Sequence, residues 1–231
     1  MNKLLTIVGI VLVGMSIAAP VRSMLGAKGI VMTSEAEQLP YDAQVEYVHF
    51  PSGAYIDTGM QICTAFGTRF IGRINKFNGS YDAYYGAYNG SDMLGFRRNG
   101  TTSNVQLLGY SGTWSTNITL GVKFTLEVSP ENRTYRYIYL NGQQAKYITS
   151  VYYALFPLTL FIGATHHSKS YFSTSDFDFF GFKVWDYRQS PSLIMDLIPV
   201  RIGEDAYIYD KVSKRLFESI GTAKLGLGPD I

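Results

Sequence analysis

The sequence predicts an all-β protein, a sandwich or barrel of short antiparallel strands. In residues 122–128, apolar Val, Phe, Leu and Val alternate with Lys, Thr and Glu, so that a strand here has one apolar and one polar face. Asn141-Gly142 separates two strand-like runs, and both residue types tolerate the positive φ angles of a tight hairpin. Further Asn-Gly and Ser-Gly pairs divide the first half into short strands, and no long helical periodicity follows the N-terminal segment.

The other strands follow from apolar runs between turn residues. Residues 135–140 and 143–149 form the arms of the Asn-Gly hairpin, and residues 158–164 form another strand. Residues 177–185 are apolar at nearly every position, which indicates a strand in the middle of a sheet. The chain has a single cysteine, Cys63, so no intramolecular disulfide is available and the fold depends on its apolar core.

The first 23 residues are typical of an export signal. A short basic start is followed by the apolar residues 4–19, and small residues near the end of this run suit cleavage by signal peptidase. As a helix, residues 4–19 would span about 24 Å, less than the roughly 30 Å hydrocarbon core of a bilayer. A cleaved signal is therefore favoured, and the alternative of a membrane tether formed by residues 4–19 stays open.

The rest of the chain is predicted to be a linker, residues 24–40, and one domain, residues 41–231. Without residues 1–23, which contain Lys3 and Arg22, the chain has 18 basic and 18 acidic side chains. A neutral domain with no basic stripe lacks the charge with which proteins hold a phosphate backbone, so no nucleic-acid partner is expected. We expect an exported protein, secreted or on the surface of a cell or virion.

Three sequence blocks resemble LamG-like domains, which belong to the concanavalin A-like lectin/glucanase superfamily. The first is VEYVHFPSGAYIDTG at residues 45–59, and the second is YIYLNG at residues 137–142. The third begins with GFKVWD at residues 181–186 and continues to residue 228. The resemblance covers roughly residues 41–229 and implies a jelly roll of two antiparallel sheets. The apolar residues 4–19 are expected to form a short N-terminal hydrophobic helix before it.

The resemblance implies a fold more firmly than a function. This subgroup occurs in secreted and surface proteins of bacteria and in phage structural proteins, and the wider superfamily most often binds carbohydrate on one sheet or its rim loops. The leading hypothesis is therefore a non-catalytic recognition module whose ligand is a glycan. The alternative is a structural or adhesion component of a cell surface or virion, with a surface protein as partner and residues 4–19 as tether.

The groups expected of an enzyme are missing. Laminarinase-like members of the superfamily use Glu-x-Asp-x-x-Glu on one strand; here the nearest pair, Asp176 and Asp178, shares a face but lacks the third carboxylate. A Ser-His-Asp hydrolase is not indicated, because the sequence has no Gly-x-Ser-x-Gly motif to present a nucleophilic serine to a histidine. The side chains of the adjacent His166 and His167 point apart on extended chain, which argues against a shared metal. We predict no enzymatic activity, no cofactor and no metal, with a divergent glycosidase based on Asp176 and Asp178 as a weaker alternative.

Sugar-binding surfaces combine aromatic faces with amide or carboxylate hydrogen bonds, and residues 81–92 are the richest such stretch. In the competing interpretation, which is favoured slightly, these tyrosines are ordinary strand residues that partly fill the core. Trp114 lies in a loop-like segment, and the His166-His167 pair follows a predicted strand. The candidate ligand-binding residues are Tyr84, Tyr85, Tyr88, Asn89, Asp92, Trp114, His166 and His167.

Overall fold

A computed structural model describes residues 39–88, 93–98, 100, 103–108, 114–130, 135–149, 155–167, 170–172 and 175–231. Residues 39–231 form one compact unit. The export signal, the membrane tether and most of the linker fall on residues 1–38 and lie outside the described residues. Within the described ranges, no helix has the length and apolar character needed to span a bilayer.

Every regular element in the described ranges is a β-strand. In chain order these are β1 Ala43–Gln44, β2 Val48–Phe50, β3 Ile56–Cys63, β4 Phe66–Lys76, β5 Ala83–Tyr88, β6 Met93–Arg98, β7 Asn104–Leu108, β8 Trp114–Asn117, β9 Lys123–Pro130, β10 Tyr135–Leu140, β11 Gln143–Thr149, β12 Leu155–Ile162, β13 Thr165–His167, β14 Ser170–Phe172, β15 Asp176–Asp186, β16 Ser192–Ile202, β17 Asp205–Asp210, β18 Arg215–Phe217 and β19 Gly226–Leu227.

The strands form two sheets. The large sheet has the order β11-β10-β9-β4-β15-β16-β17-β18, with β2 paired to β15, β1 to β16 and β19 to β2. The small sheet has the order β14-β13-β5-β6-β7-β8, and β12 joins β3 to β5. The ladders between described strands are antiparallel except for the one between β5 and β13. The predicted all-β architecture of two antiparallel sheets is therefore confirmed.

The local patterns in the sequence correspond to these strands. On β9 the apolar Phe124, Leu126 and Val128 are buried, whereas Lys123 on the opposite face is exposed. The hairpin between β10 and β11 turns at Asn141 and Gly142, whose φ angles are 52° and 77°. The predicted central strand is β15, which lies between β4 and β16.

The core between the two sheets is centred on aromatic side chains. Phe70 on β4 has no exposed surface and lies within 6.5 Å, between ring centroids, of six other rings. These belong to both sheets: Phe124, Phe177, Phe179 and Phe182 from the large one and Tyr85 and Phe96 from the small one. Each such ring removes a large apolar area from water, so this cluster is the principal link between the sheets.

The strand β15 contains a β-bulge at Phe180. Phe179 pairs with Gly72 and Gly181 pairs with Ile71, so Phe180 is an extra residue on β15. Phe179 and Phe182 are buried in the core, whereas Phe180 is only partly buried. We call the face of the large sheet that points away from the core the outer face. Alternation from the outward-facing Asp178 directs the Phe180 ring onto this face, and the extra residue lets Phe182 return to the core.

Candidate functional site

Four neighbouring strands place charged side chains in one row across the outer face. His49 on β2 pairs with Asp178 on β15, Asp178 pairs with Arg73 on β4, and Arg73 pairs with Lys123 on β9. Their chain neighbours Val48, Phe179 and Phe124 are buried in the core, so period-two alternation directs the row outward. Side chains opposite one another on neighbouring strands lie close enough to interact directly.

Asp178 is the centre of this row and is only 3% exposed. Its Oδ1 accepts hydrogen bonds from His49 Nδ1 at 2.9 Å and from Asn75 Nδ2 at 2.9 Å. Its Oδ2 accepts a hydrogen bond from Arg73 Nε at 2.7 Å and forms an ion-pair contact with Arg73 Nη2 at 2.5 Å. We call His49, Arg73, Asn75 and Asp178 the Asp178 cluster. Its carboxylate fixes the directions of one imidazole, one guanidinium and one amide.

The ionisation of the cluster follows from these contacts. Burial by itself would raise the pKa of Asp178, but the hydrogen bonds from His49, Arg73 and Asn75 outweigh it, and the pKa lies below its ordinary value of 3.8. The hydrogen bond to Asp178 raises the pKa of His49 above its ordinary value of 6.5, against the opposing effect of partial burial. The same carboxylate raises the pKa of Arg73, so the guanidinium is permanently charged.

Two aromatic rings lie beside the cluster. Tyr47 and Phe180 have ring centroids 5.4 Å apart in a tilted arrangement. Arg73 Cζ lies 5.0 Å from the Tyr47 centroid and 5.6 Å from the Phe180 centroid, and Lys123 Nζ lies 3.9 Å from the Phe180 centroid. We call Tyr47, Arg73, Lys123 and Phe180 the aromatic–cationic patch. Cation–π attraction holds its rings and charges together.

The pKa shifts of the cluster predict a pH window of greatest stability. His49, whose folded pKa is raised, stabilises the fold fully below its unfolded pKa of about 6.5 and loses this effect as the pH rises through the folded pKa. Asp178, whose folded pKa is lowered, contributes above about 3.8 and loses its effect as the pH falls through its folded pKa. The cluster therefore stabilises the fold most between about pH 4 and 6.5.

We expect the stability cost of His49→Gln, measured by urea denaturation, to be larger at pH 5.5 than at pH 8.5. His166→Gln is the control, because the His166 ring bonds Thr159 rather than a carboxylate. An equal cost of His49→Gln at both pH values would show that the charge of His49 does not contribute to the fold.

Those candidate residues from the sequence that the structure describes lie elsewhere, on the small sheet. Tyr84 and Tyr85 on β5 are 0% and 2% exposed, and Trp114 on β8 is 7% exposed. All three belong to the core, and a side chain without exposed surface offers no face to a ligand. Assigning them to a binding surface was therefore wrong, and the tyrosines fill the core as the competing interpretation proposed. Burial raises the pKa of the Tyr84 hydroxyl strongly.

Of the remaining candidates, the structure describes the side chains of Tyr88 and His166, and neither is part of the Asp178 cluster. Tyr88 is partly exposed at the end of β5, and Asn89 and Asp92 lie outside the described residues. His166 on β13 stacks on Phe161 with ring centroids 4.4 Å apart, and its Nδ1 lies 3.1 Å from Thr159 Oγ1. The backbone of His167 pairs with Tyr88, and its side chain is outside the described part of the structure.

Asp176 and Asp178 share one face, as predicted, but their arrangement does not suit a glycosidase. Asp178 is buried and uses both oxygens for hydrogen bonds, so it cannot approach an anomeric carbon without losing them. Asp176 lies 3.9 Å from His49 Nε2. In the described ranges, no group of three or more His, Cys, Asp or Glu side chains is arranged to hold a metal ion.

Sequence reasoning missed the Asp178 cluster because its members are far apart in the chain. The hydrogen bond from His49 to Asp178 joins residues 129 positions apart. One signal was available: Tyr47 and His49 alternate with the buried Val48 and Phe50, so both had to point away from the core.

Comparisons with known proteins support the architecture. The chain matches no protein-family model and no curated protein. Among solved structures it is similar to a proposed carbohydrate-binding protein from Bacteroides ovatus, with a TM-score of 0.59 and 12% sequence identity. The similarity covers 81% of this chain and 62% of that one, so the chain spans less than two thirds of that structure's length. At this identity the likeness shows the fold alone, a β-sandwich.

Proposed function

We propose that this protein is a non-catalytic glycan-binding module of the LamG-like type, which binds its ligand at the aromatic–cationic patch. The observation that carries the proposal is the position of Arg73. Its guanidinium is bound by the buried Asp178 and lies against the rings of Tyr47 and Phe180. A charged donor held beside two partly exposed rings matches the chemistry of a sugar, whose ring C–H groups pack on aromatic faces and whose hydroxyls accept hydrogen bonds.

Rigidity supports a binding role for this patch. Binding sites are most effective when their side chains are held in place by a second layer of contacts, because less conformational entropy is lost on binding. Asp178 supplies that layer to Arg73, and the Phe180 ring contacts both Arg73 and Lys123. The similar fold of the Bacteroides ovatus protein supports the same class of ligand.

The location of the protein is part of the proposal. A glycan ligand suits an exported protein, secreted or on a cell surface, with residues 1–23 as its signal. Sequencing of the mature N-terminus from expressing cells tests this: a start near residue 20 or 24 supports export with cleavage. A start at Met1 supports the second candidate, a structural or adhesion component tethered by residues 4–19, with a surface protein as partner.

The expected effect of Phe180→Ala tests the binding site. Truncating an aromatic anchor costs about 2 kcal/mol or more, so we expect affinity for a bound polysaccharide to fall by at least ~10-fold. The measurement is affinity electrophoresis or titration calorimetry with a panel of purified neutral, uronic-acid-containing and sulfated polysaccharides. Tyr81→Ala is the matched control, because Tyr81 is 52% exposed and pairs with Arg97 at 5.0 Å, but belongs to a different surface.

Two results would contradict the proposal. One is the absence of binding to every polysaccharide in the panel by a folded protein. The other is a bound polysaccharide whose affinity is reduced by Tyr81→Ala and unchanged by Phe180→Ala.

A further inference from the structure

The carboxylates on β9 and β15, the strands that carry Lys123 and Phe180, all have basic neighbours. Each carboxylate of β9 and β15 has a basic side chain within 4.0 Å. Glu127 lies 3.9 Å from Arg69, Asp186 lies 2.7 Å from Arg188, and Asp178 is bound by the cluster that it organises. Asp178, with three hydrogen bonds and an ion pair, has little remaining capacity to accept hydrogen bonds from the hydroxyls of a neutral sugar.

Lys123 differs from Arg73, the other basic residue of the patch, which is paired with Asp178. It is exposed, and it forms no ion pair with a carboxylate in the described ranges. Its ammonium group lies over the Phe180 ring. It also stands directly opposite Arg73 on the neighbouring strand. Like charges opposite one another on neighbouring strands repel, and an anion bound between them would relieve that repulsion.

The aromatic–cationic patch offers mainly hydrogen-bond donors. Arg73 and Lys123 can only donate, and within the patch the Tyr47 hydroxyl is the side-chain group able to accept. Neutral sugar hydroxyls both donate and accept, whereas a carboxylate or a sulfate ester only accepts. A surface of donors around aromatic rings thus complements a sugar that carries an anionic group.

On this basis we propose that the ligand is an acidic glycan, whose carboxylate or sulfate group binds between Lys123 and Arg73 while its sugar ring contacts Phe180. This inference rests on the proposed glycan-binding function and narrows its ligand class. Uronic acids and sulfated sugars share the required chemistry, and the experiment separates them.

Binding to polygalacturonate, to dextran sulfate and to neutral dextran, each measured by calorimetry at low and high salt, tests the proposal. We expect at least one acidic polymer to bind ~10-fold or more tightly than dextran and to weaken as salt screens the charges. The acidic polymer that binds more tightly shows whether the site prefers a carboxylate or a sulfate group. Lys123→Gln should reduce the affinity for that polymer by ~10-fold, and Lys123→Arg, which keeps the charge, should largely retain it.

Lys211→Gln is the matched control, since Lys211 is an exposed lysine away from the patch. Equal losses in Lys123→Gln and Lys211→Gln would mean general charge attraction and would overturn the inference. Binding of neutral dextran as tightly as of the acidic polymers, unaffected by Lys123→Gln, would also overturn it while leaving the glycan-binding function in place. Failure to bind either acidic polymer would overturn the inference, and the glycan-binding function would fall with it only if the folded protein also bound no polysaccharide of the larger panel.

Discussion

Replacing Phe70 with Ala is expected to lower the free energy of unfolding by about 4 kcal/mol, because truncating a fully buried phenylalanine typically costs 3–5 kcal/mol. Phe70 has no exposed surface and contacts rings from both sheets, including Phe177 from the large sheet and Phe96 from the small one. Removing its ring would leave a cavity at the junction of the sheets that well-packed neighbours cannot easily fill. Urea denaturation measures the loss.

Two further variants make this result specific. Phe70→Leu keeps much of the apolar volume and should cost roughly half as much or less. Phe217→Ala removes a ring at the edge of the core, where 7% of the residue is exposed, and should cost less than Phe70→Ala. A cost of Phe70→Ala below that of Phe217→Ala would show that the aromatic cluster is not the main link between the sheets.

Replacing Asp178 with Ala is expected to destabilise the fold by about 2–4 kcal/mol and to abolish measurable glycan binding. The substitution removes the acceptor of three hydrogen bonds and leaves Arg73 without its ion-pair partner. Arg73 and His49 are about one third exposed, so water compensates part of the loss. Once released, Arg73 no longer has a fixed direction, and the organisation of the patch is lost with it.

Asp186→Ala is the matched control for this effect. Asp186 lies at the other end of the same strand and also binds an arginine, at 2.7 Å, but that arginine is 56% exposed. Surface ion pairs of this kind contribute about 0–1 kcal/mol. The two variants together therefore separate the effect of a buried carboxylate from that of a surface pair. Similar stability losses in both would contradict the structural role assigned to Asp178.

The strands could be predicted from the sequence where alternation is regular. β9 and the β10–β11 hairpin follow directly from the polar and apolar positions of residues 122–128 and from Asn141-Gly142. Such local patterns determine which residues face the core, because side chains of a strand alternate between its faces. They do not determine which strands become neighbours.

The binding surface could not be predicted, and two β-bulges account for much of the difference. The register shifts between Ala83 and Tyr85, so the adjacent Tyr84 and Tyr85 are both buried. A second shift, next to Phe180, returns Phe182 to the core within a strand that looked apolar on both faces. An extra residue breaks the period of two, and nothing in the local sequence marks either position. The Asp178 cluster depends in addition on the pairing of β2 with β15.

The most direct test of the proposed surface is an NMR titration of the isotope-labelled protein with the oligosaccharide that it binds. The proposed site predicts that the largest amide shifts fall on β4, β9 and β15 near Arg73, Lys123 and Phe180, together with shifts of the His49 and Arg73 side-chain signals. Shifts confined to β5, β6 and β13 of the small sheet would place the ligand on the opposite side of the sandwich and would contradict it.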